Sequence, residues 1–117
     1  MQAEQLKDLV VDQLEDSKAK DIKVLNVKGL SSVTDYMIIA SGTSSRHVKS
    51  VAHNLVSSVK DEGVQPLGVE GDDVAEWVLV DLGDVVAHIM MPQTRDFYQL
   101  EKLWDPNWKE ARTTATS

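Results

Sequence analysis

Glu76-Trp77-Val78-Leu79-Val80-Asp81-Leu82-Gly83-Asp84-Val85-Val86-Ala87-His88-Ile89-Met90-Met91 reads as one β-hairpin. Gly83-Asp84 supplies a two-residue turn with glycine at the first central position, as type II′ geometry requires. That turn pairs Leu82 with Val85, Val80 with Ala87, Val78 with Ile89 and Glu76 with Met91. Side chains alternate along a strand, so Val78, Val80, Leu82, Val85, Ala87, Ile89 and Met91 share one apolar face. The other face carries Trp77, Leu79, Asp81, Val86, His88 and Met90. A tryptophan beside a methionine and a carboxylate beside a valine suit a docking surface better than a core. A one-residue slip would exchange the two faces, so the reading depends on register.

Upstream of the hairpin, Gly71-Asp72-Asp73 forms a turn, and Pro66 to Glu70 reads as an edge or short strand because proline cannot donate to a ladder. Before it, Val48, Val51, Ala52, Leu55, Val56 and Val59 make a 3.6-residue stripe, a helix ended by Gly63 at the C′ position. Tyr36-Met37-Ile38-Ile39-Ala40 is a continuous apolar run, the mark of a strand buried on both faces. Lys28 to Asp35 is a loop, Ile22 to Val27 a strand, and Leu6, Leu9, Val10 and Leu14 place a helix near residues 2–16. Downstream of Pro92 a last helix is expected from Thr94, its N-cap, to about Pro106, with Phe97, Leu100, Leu103 and Trp104 covering the sheet.

The order is αββαβββα, an α/β (α+β) arrangement with a mixed five-stranded sheet packed with helices. The unit from Tyr36 to about Leu67 is expected to be a right-handed crossover between parallel strands. Residues 1–105 form one domain, and 106–117, ending Arg112-Thr113-Thr114-Ala115-Thr116-Ser117, form a flexible tail.

The chain's 117 residues suffice for one domain with a real core. There is no cysteine, so disulfide and thiolate chemistry are excluded. The N-terminus is acidic and amphipathic rather than a basic region with an apolar run, and no apolar run reaches membrane-spanning length; a cytoplasmic protein without membrane contact is expected. Nineteen acidic against 12 basic residues give a net charge of −7. Such a chain is repelled by phosphate backbones, so no direct DNA contact and little or no RNA contact is expected, and basic proteins are the natural partners.

Ser41-Gly42-Thr43-Ser44-Ser45-Arg46 lies between the buried strand and a helix N-terminus, where amides and hydroxyls can cradle an anion. It carries neither a P-loop nor a dinucleotide glycine pattern, and Ser44 or Ser45 as a helix cap is the favoured reading, since serine is common at that position. A nucleotidyl transferase would pair such a turn with an Asp-x-Asp on a neighbouring strand to hold two metal ions. Here Asp72 and Asp73 are adjacent, and Asp81 and Asp84 straddle a turn. His47 and His53 are six apart, about 240° around a helix, and cannot share a metal. No catalytic residue, metal ligand or cofactor site is therefore assigned. Trp77 is either core or interface, and Asp81 and His88 on its face favour interface. Tyr98 and Lys102, four apart on the last helix, either extend the same patch or are a half-exposed aromatic beside a solvated lysine.

Four stretches together resemble the ribosomal silencing factors, also called the Iojap-related family. They are Thr34-Asp35-Tyr36-Met37-Ile38-Ile39-Ala40-Ser41-Gly42-Thr43-Ser44-Ser45-Arg46-His47-Val48, Gly68-Val69-Glu70-Gly71, Trp77 through Val86, and Phe97-Tyr98-Gln99-Leu100-Glu101-Lys102-Leu103-Trp104. The resemblance covers residues 2–104 and is that of a bacterial member. It implies a nucleotidyltransferase-like fold without the catalytic carboxylates. It also implies a non-enzymatic function: binding the large ribosomal subunit through the universal ribosomal protein fourteen, obstructing the small subunit, and lowering translation when nutrients are scarce. Relatives in organelles are tied to large-subunit assembly, which stays open as an alternative, as does a nucleotide-binding enzyme using Ser41–Arg46. By position, the resemblance places Glu70, Trp77, Asp81, Tyr98 and Lys102 at the partner surface, with His88 and Met90 alongside from the hairpin register. A homodimer that hides the Trp77 face is a further expectation.

Overall fold

A computed structural model gives the protein's structure and describes residues 1–99 and 102. Strands β4 (Trp77–Asp81) and β5 (Val85–Met90) form the hairpin in the register that the turn dictates. Val78 pairs with Ile89 and Val80 with Ala87. The Leu82 N–H donates to the Val85 carbonyl at 2.9 Å, and Met91 N–H to Glu76 O at 2.8 Å. Gly83 takes φ +87° while Asp84 keeps a negative φ, the combination a II′ turn needs.

The remaining elements follow the expected order: α1 (Ala3–Asp16), β1 (Lys20–Asn26), β2 (Tyr36–Ser41), α2 (Ser45–Asp61), β3 (Gly68–Glu70) and, after the hairpin, α3 (Pro92–Tyr98). The five strands lie in the order β1-β2-β5-β4-β3. Only β2 and β5 pair in parallel; the other neighbours are antiparallel. The crossover through α2 does join two strands running the same way, β2 and β3, but they are not neighbours. The hairpin inserts between them, with β5 on β2 and β4 on β3.

Every residue of β2 is buried, as its unbroken apolar run requires. On one face, Ile38, Ala40, Val78, Val80, Val85, Ala87 and Ile89 pack against Leu6, Val10 and Leu14 of α1 and Val48, Val51, Ala52, Leu55 and Val59 of α2. The other face carries a smaller cluster, Leu25, Val27, Met37, Ile39 and Met90, with Trp77 half-buried at its margin. The two long helices therefore pack on the first face.

Helix α3 corrects the sequence reading at both ends. It starts at Pro92 with Met91 as N-cap, because proline's fixed φ suits the first helical position. It stops at Tyr98, since Gln99 adopts a left-handed conformation (φ 48°, ψ 46°) and its N–H closes onto Arg95 O at 2.8 Å. Phe97 does not cover the sheet; it is 80 % exposed. Lys102 lies past this break, so it does not share a continuous helix with Tyr98. Leu100, Leu103, Trp104, the expected end at Pro106 and the tail lie outside the described residues. Among the described residues no helix is long and apolar enough to cross a membrane.

Candidate docking surface

Pairing across β3, β4 and β5 assembles the site. Glu70 stands opposite Leu79, Leu79 opposite His88, and His88 opposite Ile39 of β2, so these four form one row on the second face. The flanking rows bring Trp77 beside Met90 and Asp81 beside Val86. Glu70, Gly71, Trp77, Leu79 and His88 line a cleft of about 340 Å³.

The Trp77 indole is held from two sides. Its Nε1–H donates to His88 Nδ1 at 2.9 Å. Its ring also meets Tyr98 of α3, with centroids 5.0 Å apart and planes tilted by 49°, inside the range of favourable aromatic pairs. Tyr98 remains 53 % exposed, and Phe97 meets it edge-on at 5.0 Å. The indole is thus a wall of an open cleft rather than a sealed core residue.

An indole nitrogen can only donate, so the bond requires a bare Nδ1 and a neutral imidazole whose proton sits on Nε2. Burial acts in the same direction: desolvation pushes the His88 pKa down to about 4. Gly71 closes the floor of the cleft. It has φ +83°, and a Cβ there would lie 2.1 Å from the Trp77 carbonyl oxygen. Only glycine permits both that backbone and that approach.

The expected partner-binding residues do not all meet at one place. Glu70, Trp77, His88 and Tyr98 converge on the cleft or its wall. Asp81 is partly exposed, and its Oδ1 accepts the Gly83 N–H at 2.9 Å, so it also caps the hairpin turn. Met90 is fully buried beneath the cleft and offers a partner no surface, which corrects its place in the set. Lys102 is exposed beyond the end of α3. Leu79 and Gly71 were missed as site residues. The face alternation already put Leu79 beside Trp77, whereas the Gly71–Trp77 approach is tertiary and leaves no mark on periodicity.

The Ser41–Arg46 turn is engaged internally. Ser44 Oγ accepts the His47 N–H at 3.1 Å and caps α2. Thr43 N–H donates to His47 Nδ1 at 2.9 Å, and His47 Nε2 donates to Ser17 O, the C-cap of α1, at 2.8 Å. His47 is therefore a latch between two helix ends. Among the described residues no group of three His, Asp or Glu side chains is placed to hold a metal ion.

The model of a family described as "Ribosomal silencing factor during starvation" matches residues 1–117. The chain belongs to that ribosomal silencing factor family. A Haemophilus influenzae protein named ribosomal silencing factor is 46 % identical over 85 % of this chain and 97 % of its own length. A Chromobacterium violaceum namesake is 44 % identical over 89 % of this chain and 85 % of its own length. An X-ray crystal structure of a protein from Chromobacterium violaceum superposes with a TM-score of 0.87 at 44 % identity, covering 89 % of this chain and 87 % of that one. A mouse protein named for mitochondrial assembly of the ribosomal large subunit is 41 % identical over 83 % of this chain, spanning 44 % of its own length. The mixed sheet with its three helices among the described residues is thus the silencing-factor fold, and the chain falls in a ribosome-associated family.

Proposed function

We propose that this chain represses translation without catalysis, by binding the large ribosomal subunit at the universal ribosomal protein fourteen and occupying the surface where the small subunit joins. Family membership supports the ribosomal partner. The observation that carries the choice of surface is the Trp77–Tyr98 aromatic pair beside a cleft rimmed by Glu70. Large aromatic anchors dominate binding energy at interfaces, and carboxylates at the rim steer a basic partner. A body of 14.1 Å radius of gyration has the bulk to obstruct a subunit-joining surface without catalysis. A homodimer closing the same face would compete with docking.

Co-sedimentation with purified large subunits tests this. Trp77→Ala should cost about 2 kcal/mol or more, roughly thirtyfold in affinity. Tyr98→Ala should weaken binding in the same direction. Binding equal to wild type by both folded variants would place the contact elsewhere. The mouse relative's name favours a second reading, a role in large-subunit assembly, which shares the partner and differs in timing. Accumulation of immature large subunits in cells lacking this protein, with normal joining of mature ones, would favour it.

A further inference from the structure

The described residues leave one ring nitrogen of a buried histidine without a protein partner, at the centre of the candidate docking cleft. His88 is only 8 % exposed, yet it lines the cleft with Glu70, Gly71, Trp77 and Leu79. Its Nδ1 is committed to the Trp77 N–H at 2.9 Å. Its Nε2 makes no hydrogen bond among the described residues, and none of their side-chain nitrogens or oxygens is both sealed from solvent and unpartnered. Nε2 therefore opens on the cleft. Because Nδ1 accepts, Nε2 must carry the proton, so the cleft presents a fixed, neutral N–H donor.

We propose that His88 Nε2–H is the specificity-determining donor of this surface, recognising an uncharged oxygen acceptor, a peptide carbonyl, on a basic segment of the ribosomal partner. This rests on the docking reading above. Two features set the chemistry of the occupant. A second donor at the cleft floor, such as a lysine ammonium, would face Nε2–H donor to donor. The Glu70 carboxylate at the rim is the group that meets a cation. The segment that fits turns a carbonyl inward against His88, lays apolar atoms on Leu79 and Trp77, and keeps its basic side chain outside toward Glu70. Trp77 thus acts twice, as an anchor and as the group that fixes the His88 tautomer.

Two substitutions separate the ring nitrogens. In His88→Asn the side-chain oxygen keeps an acceptor for Trp77 where Nδ1 stood, but nothing replaces the Nε2 donor. In His88→Gln the amide reaches the Nε2 position and restores a donor there. Affinity for purified large subunits should fall about tenfold in His88→Asn, as expected when a desolvated acceptor on the partner loses its donor. His88→Gln should recover most of that loss, with Trp77→Ala measured alongside. His88→Asn equal to wild type, or both His88 variants equally weak, would overturn the proposal while a Trp77→Ala defect left the docking reading standing. Wild-type binding by Trp77→Ala would remove both. Long-range 1H–15N spectra of the imidazole in the unmodified protein give a check that needs no variant to fold. A protonated Nε2 with bare Nδ1 is expected, and a proton on Nδ1 would overturn the proposal.

Discussion

The Trp77 indole donates its N–H to Nδ1 of His88 at 2.9 Å, across two antiparallel strands, and the bond exists only while the imidazole is neutral. This ties stability to pH with a definite sign. Burial lowers the His88 pKa from 6.5 to about 4, so between these values the unfolded chain binds a proton that the folded chain refuses. The stabilisation is complete above about pH 6.5 and drains away as pH falls toward 4, by about 3 kcal/mol at most. Denaturant titrations of wild type and His88→Asn from pH 7.5 to pH 4 check this. The carboxylates titrate in both proteins, so the difference isolates His88, and wild type should lose the more stability. Parallel curves would contradict the assignment.

Gly71 and Gly63 give a matched comparison. Both sit at φ +83°, but a Cβ at Gly63 has nothing within 4 Å, whereas at Gly71 it would strike the Trp77 carbonyl. Gly63→Ala should cost about 1 kcal/mol, the conformational term alone. Gly71→Ala should cost clearly more, since backbone has to move, and should also weaken large-subunit binding by displacing Trp77. Thermal melts and co-sedimentation of the two variants settle this. Equal destabilisation would mean that the β3–β4 connection yields easily.

The hairpin shows why much of this site was legible beforehand. A two-residue turn fixes register, register fixes faces, and the faces placed Trp77, Leu79, Asp81 and His88 together without any knowledge of the rest. Strand order was not legible, because nothing in the periodicity of Tyr36–Ala40 says whether β3 or β5 lies beside it. Met90 was misplaced for a related reason. Alternation assigns a face, but burial depends on what covers that face, and Met90 is sealed while Trp77 in the same row stays open. The break at Gln99 is not legible in the sequence, because glutamine in a left-handed conformation gives no compositional signal. The resemblance supplied Tyr98 and Lys102, which spacing alone had linked by a helix that ends between them.

His47 is the control for reading histidines as functional. It joins Thr43 N–H to the carbonyl of Ser17 and so fastens the start of α2 to the end of α1, far along the chain from the Trp77 cleft. His47→Ala removes an acceptor and a donor at once and should destabilise the fold by about 1–3 kcal/mol. Its affinity for large subunits at a temperature where it is folded should match wild type. A binding defect in folded His47→Ala protein would make the Ser41–Arg46 turn a contact surface.

The two carboxylates of the proposed docking face allow charge to be separated from structure. Glu70 is exposed on the edge strand, while Asp81 spends one oxygen on the Gly83 N–H at 2.9 Å. Glu70→Gln removes charge from a side chain whose loss should change stability by less than about 0.5 kcal/mol. Asp81→Asn keeps an oxygen that can accept the Gly83 N–H, so the turn should survive with at most about 1 kcal/mol lost. If both acids steer a basic ribosomal surface, the double variant should associate several-fold more slowly at low salt, with a flatter dependence on ionic strength and a nearly unchanged dissociation rate. Stopped-flow association with labelled large subunits at two salt concentrations reads all three quantities. An unchanged salt slope would show that the partner opposite this rim is not basic, and Trp77 and Tyr98 would then have to hold it by apolar contact alone.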